Sequence, residues 1–299
     1  MRRFLRIPGI FHRAVLRAVD HDCFNLSQSA AYSAMVALFP AMIVAATIIA
    51  LLPNTFPIRS QLGSFFTRIL PPDVLPLLQS YFNPAPDHAH STHPLIPALL
   101  VSIVGASSVI ATFMEGVRRA NRLPESCWTF FGRRARAFVL VPLSLLPLAI
   151  ASVLVVFGHI ITAWIAMHAM PSVRTPVLII ALIIRWVVAL AGSVGLIALI
   201  YYMSTPTRQP WRTVIPGAIT ATAMWFPATL IFGWYVTRFA NYSRVYGSLG
   251  VAIALLFWLD IISLCVIYGA EFNHEYNTHF SPTIPTHSSA YEPDVPFRG

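Results

Sequence analysis

Two charged residues, Arg185 and Asp260, lie inside apolar stretches of this 299-residue chain, and their types and places could do chemistry. A charge at the centre of a membrane-spanning helix costs about 2.5 to 3.5 kcal/mol to insert, so each needs a partner or water. Paired at mid-depth in a water-accessible site, the two would recognise an anionic group or relay protons. The alternative is a buried ion pair that fixes helix register, or an Arg185 that snorkels outward. Two further acids, Glu115 and Glu271, stand where apolar runs end, near arginines that the topology puts on the same face. Glu115 precedes Arg118 and Arg119 at helical spacing, so local pairing is the economical reading and gating or coupling the sharper one for either glutamate.

Other sets of reactive residues are weaker. His88, His90 and His93 form an HAHSTH cluster that could bind a divalent metal, but it lacks a clear fourth ligand. His159 and His168 suit hydrogen-bonded structural roles better than proton relay. All 20 basic residues are arginine, which excludes Schiff-base chemistry, a P-loop lysine and a lysine general base. Cys23, Cys127 and Cys265 are far apart and predict free thiols. No GxSxG or HExxH motif occurs, and the arginine-rich segments have no matching cluster of carboxylates and histidines for a nuclease. The expectation is a non-enzyme with no catalytic residue, no metal, no cofactor and no nucleic-acid partner.

The elements that must position these residues are membrane spans. Hydrophobic residues make up 57% of the chain and charged residues 10%, with mean hydropathy +0.68, outside the range of soluble domains. About 20 apolar residues cross a hydrocarbon core, and six runs qualify: about 28–51, 95–114, 138–166, 177–203, 213–236 and 245–270. Pro40, Pro142, Pro147, Pro216 and Pro227 fall within them, which lipid-buried helices tolerate when neighbours satisfy the freed carbonyls. Small residues Ser29, Ala30, Ala31, Ser33 and Ala34 in the first run, and Gly192, Gly195, Gly247, Gly250 and Gly269 in or near later ones, predict close helix packing. If the fourth and sixth helices both run inward, Arg185 lies about 12 Å below its outer end and Asp260 about 22 Å below its own, a gap a long arginine largely bridges.

Arginine counts set the orientation. With the N-terminus inside, five arginines (residues 1–22), six (Arg118, Arg119, Arg122, Arg133, Arg134, Arg136), two (Arg208, Arg212) and Arg298 make 14 cytosolic charges against five external ones. Arg2 and Arg3 resemble a twin-arginine signal, but the apolar run starts too late and no small-residue cleavage site ends it. Residues 1–25 form a basic amphipathic segment, reading either as an interfacial helix on an anionic leaflet or as a cytosolic helix packed under the bundle. Residues 26–277 are the membrane domain, with an apolar external loop at 53–94 that lies on the membrane or caps the bundle. Residues 278–299 read as a disordered cytosolic tail.

The stretches LSQSAAYSAMVALFP (Leu26–Pro40), RRANRLPESCW (Arg118–Trp128), and YGSLG with FWLDI and YGAEFN (Tyr246–Asn273) resemble the YihY/BrkB family of bacterial inner-membrane proteins. The resemblance covers about residues 14–277. It implies six transmembrane helices in the bacterial inner membrane, and a family described as a serum-resistance factor or a suspected transporter, formerly labelled ribonuclease BN. Glu271 falls on the acidic position of the family's Gly-Ala-Glu signature and Asn121 also matches, whereas Asp260 departs from the aromatic or small residue that the resemblance implies.

The sequence therefore predicts an all-α, six-span multi-pass protein of the bacterial inner membrane with both termini cytosolic. The expected role is a transporter or translocation factor for an anionic amphiphile or lipid, with Arg185, Asp260, Glu271 and Glu115 as substrate-binding or coupling residues. Arg13, Arg17, Arg118, Arg119, Arg133, Arg134 and Arg136 are expected to contact anionic lipid on the cytosolic side. Membrane lipids are the expected partners, self-association is left open, and the rival reading is a non-catalytic scaffold or envelope-integrity protein.

Overall fold

The computed structural model describes residues 7–50, 95–146, 171–206, 210–239 and 248–280. The loop at 53–94 with its histidine cluster, His159, His168, the tail beyond residue 280 and the side chain of Arg185 lie outside the described residues.

Among the described residues every regular element is helical. In order they are α1 (Ile7–Asp20), α2 (Cys23–Ala50), α3 (Leu95–Ala120), a short 3-10 turn (Glu125–Cys127), α4 (130–146, as far as it is described), α5 (Pro171–Ser204), α6 (Trp211–Phe239) and α7 (Ser248–Phe280). Four helical stretches, Ile96–Ala120, Pro176–Ser204, Trp211–Val236 and Ala252–Phe280, are long and apolar enough to cross a membrane. The chain is an all-α polytopic membrane protein.

Its outer faces suit lipid. On α5, Ile179, Ile180, Leu182, Ile183, Ile184, Trp186 and Val187 are all exposed, a band that water would not tolerate and hydrocarbon does. The core gathers instead toward the arginine-rich end. Ile10, Ala14 and Ala18 recur every four residues along α1 and are buried, joining Val117, Tyr201, Val214, Ala218, Ala221, Val266, Ile267 and Ala270 in one cluster. A second cluster packs Ala137, Leu140 and Val141 of α4 against Ile110 and Met114 of α3.

Helix α7 is the hub, touching α1, α2, α3 and α6. Its approach to α6 is closest at two glycines: a methyl on Gly217 would lie 2.5 Å from the Gly269 carbonyl, and one on Gly269 would lie 2.7 Å from Ala221 Cβ. Pro216 weakens the same turn of α6 by removing an N–H. Asn273 and Asn277, one turn apart on α7, brace it: Gly217 N–H donates to Asn273 Oδ1 at 3.0 Å, and Asn277 Nδ2 donates to the Thr213 carbonyl at 2.9 Å.

The helices outrun the expected spans at the arginine-rich end. Helix α7 continues ten residues past Ala270, through Glu271 and Glu275 to Phe280, and α3 continues six residues past Met114. Two left-handed residues turn the chain there, Asp22 (φ 60°) between α1 and α2, and Arg122 (φ 54°) after α3. Asp22 also starts α2, its carboxylate accepting Asn25 Nδ2 at 2.6 Å. After α3 the Leu123 N–H returns to the Arg118 carbonyl at 3.0 Å, closing the helix end. These two turns bring α1, α2 and α3 together at the end of α7 and set α4 against α3.

Candidate functional site

Glu115 is the centre of one polar cluster. Arg118 grips it with both arms of its fork, Nε to Oε2 at 2.9 Å and Nη2 to Oε1 at 2.6 Å. Arg119 Nε donates to Oε1 at 3.0 Å, and Arg133, arriving from α4, donates to Oε2 at 3.1 Å. Three guanidinium groups thus share one carboxylate, and two more exposed acids face them, Glu125 at 3.8 Å from Arg118 and Asp22 at 4.0 Å from Arg119.

Beside this cluster opens a cavity of about 310 Å³, whose walls set Arg118 and Arg133 against Glu115 and Glu125, with Trp128 and Phe130 as the aromatic side. The Trp128 ring is held by Arg136, whose guanidinium carbon stacks 3.5 Å from its centroid, and its indole N–H is buried without a hydrogen-bond partner among the described residues. Phe130 and Phe131 are exposed and meet edge to face. Guanidinium groups, carboxylates and exposed aromatic rings thus stand side by side at this corner of the bundle.

The second cluster runs down α7. Glu271 is 1% exposed; His21 Nδ1 donates to its Oε1 at 2.7 Å and the Cys23 thiol points at the same oxygen at 3.8 Å. Its other oxygen, Oε2, is buried with no partner among the described residues, as is Nη1 of Arg17. One turn on, Glu275 pairs with Arg17 at 3.1 Å and with Arg13 at 3.8 Å. Burial and, next, the Glu271 carboxylate push the Cys23 thiol up to about 12. Deeper along α7, Ser27 Oγ donates to Asp260 Oδ1 at 2.5 Å.

His21 joins the two clusters. Its ring is on Glu271, and its carbonyl accepts Arg119 Nη1 at 3.1 Å.

Against the sequence expectations, the structure brings Glu115 and Glu271 to one end of the bundle and places Asp260 further in, half-buried, with Ser27 as partner. Arg118 and Arg119 pair locally with Glu115 as their spacing predicted. The arginines expected to face lipid headgroups are engaged by the protein: Arg13 and Arg17 by Glu275, Arg118, Arg119 and Arg133 by Glu115, Arg134 over the Phe138 ring at 5.5 Å, and Arg136 over Trp128. Helix α1 buries Ile10, Ala14 and Ala18 in the core and packs on α7, while a second apolar stripe, Phe11, Val15, Leu16 and Val19, stays exposed, so the segment carries a face for each of its two readings. Of the glycines, Gly269 meets a neighbouring helix, while Gly195 has nothing within 4 Å of where a side chain would start.

His21, Ser27, Trp128 and Glu275 were missed as site residues. A signal for Glu275 was present: Glu271 and Glu275 are like charges one turn apart, which an isolated helix disfavours and which therefore calls for cations from another element. Arg13 and Arg17, with the same spacing on α1, are those cations.

Comparison with known sequences agrees with this architecture. The sequence profile described as Virulence factor BrkB matches residues 14–292. The chain belongs to the BrkB family. Among BrkB-like relatives it is 26% identical over 263 residues to a ribonuclease-like protein, YfkH, of Bacillus subtilis (strain 168), covering 85% of this chain and 90% of that one. It is 27% identical over 245 residues to a UPF0761 membrane protein of Alteromonas mediterranea, covering 81% and 79%. A third relative, a UPF0761 membrane protein of Rhodospirillum centenum, is 25% identical over 272 residues; 89% of this chain aligns, but only 57% of that longer protein. No solved structure matches.

Proposed function

We propose that this BrkB-family protein is a transporter or translocation factor of the bacterial inner membrane whose cargo is an anionic amphiphile or lipid. The observation that carries the reading is the set of three guanidinium groups gathered on Glu115 at the mouth of a cavity lined by Trp128 and Phe130. At about 310 Å³ the cavity is at the small end of ligand sites, which suits a headgroup rather than a whole lipid. The apolar tail would run over Phe130 and Phe131 into the bilayer. Six spans with both termini in the cytosol put this end at the cytosolic leaflet, in keeping with its arginines. Arg185 and Asp260 remain coupling candidates in this scheme, deeper in the bundle. The ribonuclease-like name belongs to the Bacillus relative; here the reading is of a binding site and not of a hydrolytic one.

The test is mass spectrometry of lipids retained on the protein purified in mild detergent, for the parent and for Arg133→Gln. Arg133 comes from α4, so its loss leaves the Arg118 and Arg119 contacts to Glu115 in place. Enrichment of an anionic lipid in the parent, lost in the folded variant, supports the proposal. Retention that follows bulk membrane composition in both proteins overturns it.

One observation favours the scaffold reading instead. Glu115 is engaged from two elements and Glu275 from a third, as in a clamp. In that case Arg133→Gln lowers the melting temperature and leaves lipid retention unchanged.

A further inference from the structure

Glu271 presents a physical problem that its neighbours do not solve. A carboxylate 1% exposed keeps one oxygen, Oε2, without any donor among the described residues, although a buried charge is tolerated only when its lone pairs are satisfied. Glu275, one turn further along the same helix, has two arginines; Glu271 has a histidine and a thiol. Histidine is the side chain that gains and loses a proton between about pH 5 and 8. Its ring is 21% exposed, so one edge reaches solvent while Nδ1 faces the buried acid.

We propose that Glu271 and His21 together form a proton-binding site at the arginine-rich end of the bundle, and that the proton is the coupling ion for the transport reading above, on which this last step rests. In the unloaded site the neutral imidazole donates Nδ1–H to Glu271 Oε1. A proton taken from water at Nε2 makes the imidazolium. The Nδ1 proton then moves to Oε1, leaving a neutral imidazole protonated at Nε2 and a neutral carboxylic acid. One proton enters, no other bond breaks, and the reverse sequence returns it. Loading removes the unsatisfied buried charge, and unloading restores it.

The charged and titratable groups around Glu271 and His21 are Arg17 from α1, Cys23 from α2, and His274 and Glu275 from α7; Arg119 of α3 stands next to them, at Cys23 and the His21 carbonyl. Arg119 matters most for coupling, because it also holds Glu115 and the His21 carbonyl. A change of charge at the Glu271–His21 pair therefore reaches the cavity's cluster through the residue that Arg119 holds. Asp260, eleven positions before Glu271 and about three turns deeper, lies on the same face of α7. It places a second acid between this site and the bilayer interior.

The experiment counts protons and needs no lipid cargo. Proton uptake between about pH 8 and pH 5 is measured on the detergent-purified full chain for the parent, Glu271→Gln, His21→Gln and the double variant. Two coupled groups holding one proton between them predict that the parent takes up one more proton than the double variant, with each single variant taking up its proton at a shifted midpoint. A difference of zero means that the site never loads, and a difference of two means independent groups; either overturns the proposal. If the double variant does not fold, Glu271→Gln decides alone: with the histidine retained, a shifted uptake curve supports the pair and an unchanged one overturns it. Because cargo is absent, failure here leaves the anionic-lipid reading to its own test.

Discussion

Arg119 donates through Nη1 to the backbone carbonyl of His21, 98 positions away, at 3.1 Å. The same guanidinium donates through Nε to Glu115, so one side chain ties the α1–α2 turn to the α3–α4 corner. Backbone carbonyls at a helix end need donors, and His21 receives its donor from a different element. This cross-tie is what makes the end of the bundle one unit.

Removing the tie has a graded cost. Arg119→Met leaves Glu115 with Arg118 and Arg133 but leaves the His21 carbonyl without that donor. The side chain is a third exposed, so the charged hydrogen bonds are discounted for solvent and the expected loss is about 1 kcal/mol. Glu115→Ala is worse, because three guanidinium groups lose their shared counter-charge in a site where Glu115 is only 15% exposed; the expected loss is about 3 kcal/mol. Thermal melts in detergent should order the proteins as parent, Arg119→Met, Glu115→Ala. Equal melting temperatures would show that the cluster does not hold the bundle end.

The glycines give a second, steric prediction. Gly269→Ala forces a methyl to 2.7 Å from Ala221 Cβ and 2.8 Å from the Gly217 carbonyl, and neither neighbour is the far end of a flexible side chain. Overpacking of this kind costs about 1 to 3 kcal/mol. Gly195→Ala, in a helix interior with nothing within 4 Å, should be neutral or stabilise by about 0.5 to 1 kcal/mol. Comparing the two variants in one melting assay checks the α6–α7 contact, and equal effects would contradict it.

The same glycines show what the sequence could and could not disclose. Length and apolarity were enough to find the helices, because spanning hydrocarbon is a property of one segment at a time. Close packing belongs to a pair of segments, so Gly195 and Gly269 looked alike until α6 was seen against one of them. The site follows the same rule. Glu115 with Arg118 and Arg119 was legible at helical spacing, whereas His21 on Glu271 spans 250 positions and depends on a left-handed Asp22 that aims the turn. The continuation of α7 to Phe280 was missed because the apolar run ends at Ala270, and the polar residues that follow, Glu271 and Glu275 among them, are held helical by their partners on other elements.

If the proton site and the anion cavity communicate through Arg119, their couplings are reciprocal. Linked sites commonly differ in affinity by about 5- to 150-fold between states. Binding of phosphatidylglycerol in mixed micelles, measured at about pH 8 and about pH 5, should change at least about fivefold in the parent. The change should vanish in Arg119→Gln, with residual binding through Arg118 and Arg133. A pH dependence that persists unaltered in Arg119→Gln would place the coupling elsewhere.

Thiol labelling tests orientation and burial together. Cys23 is fully buried, and burial with the adjacent Glu271 carboxylate pushes it up to about 12, so at pH 8 it stays the unreactive thiol. Cys265 is buried as well. Cys127 is half-buried at the corner between α3 and α4, and burial raises it too, so its reaction is slowed but open to solvent. A membrane-impermeant maleimide should therefore label one site, Cys127, in inside-out vesicles and none in right-side-out vesicles, and Cys127→Ser should abolish the signal. Labelling from the outer face would reverse the proposed topology and put the arginine cluster on the wrong leaflet for a cytosolic headgroup. Rapid labelling of Cys23 in the folded protein would mean that the α1–α2 turn opens away from Glu271, and the proton site would lose its walls.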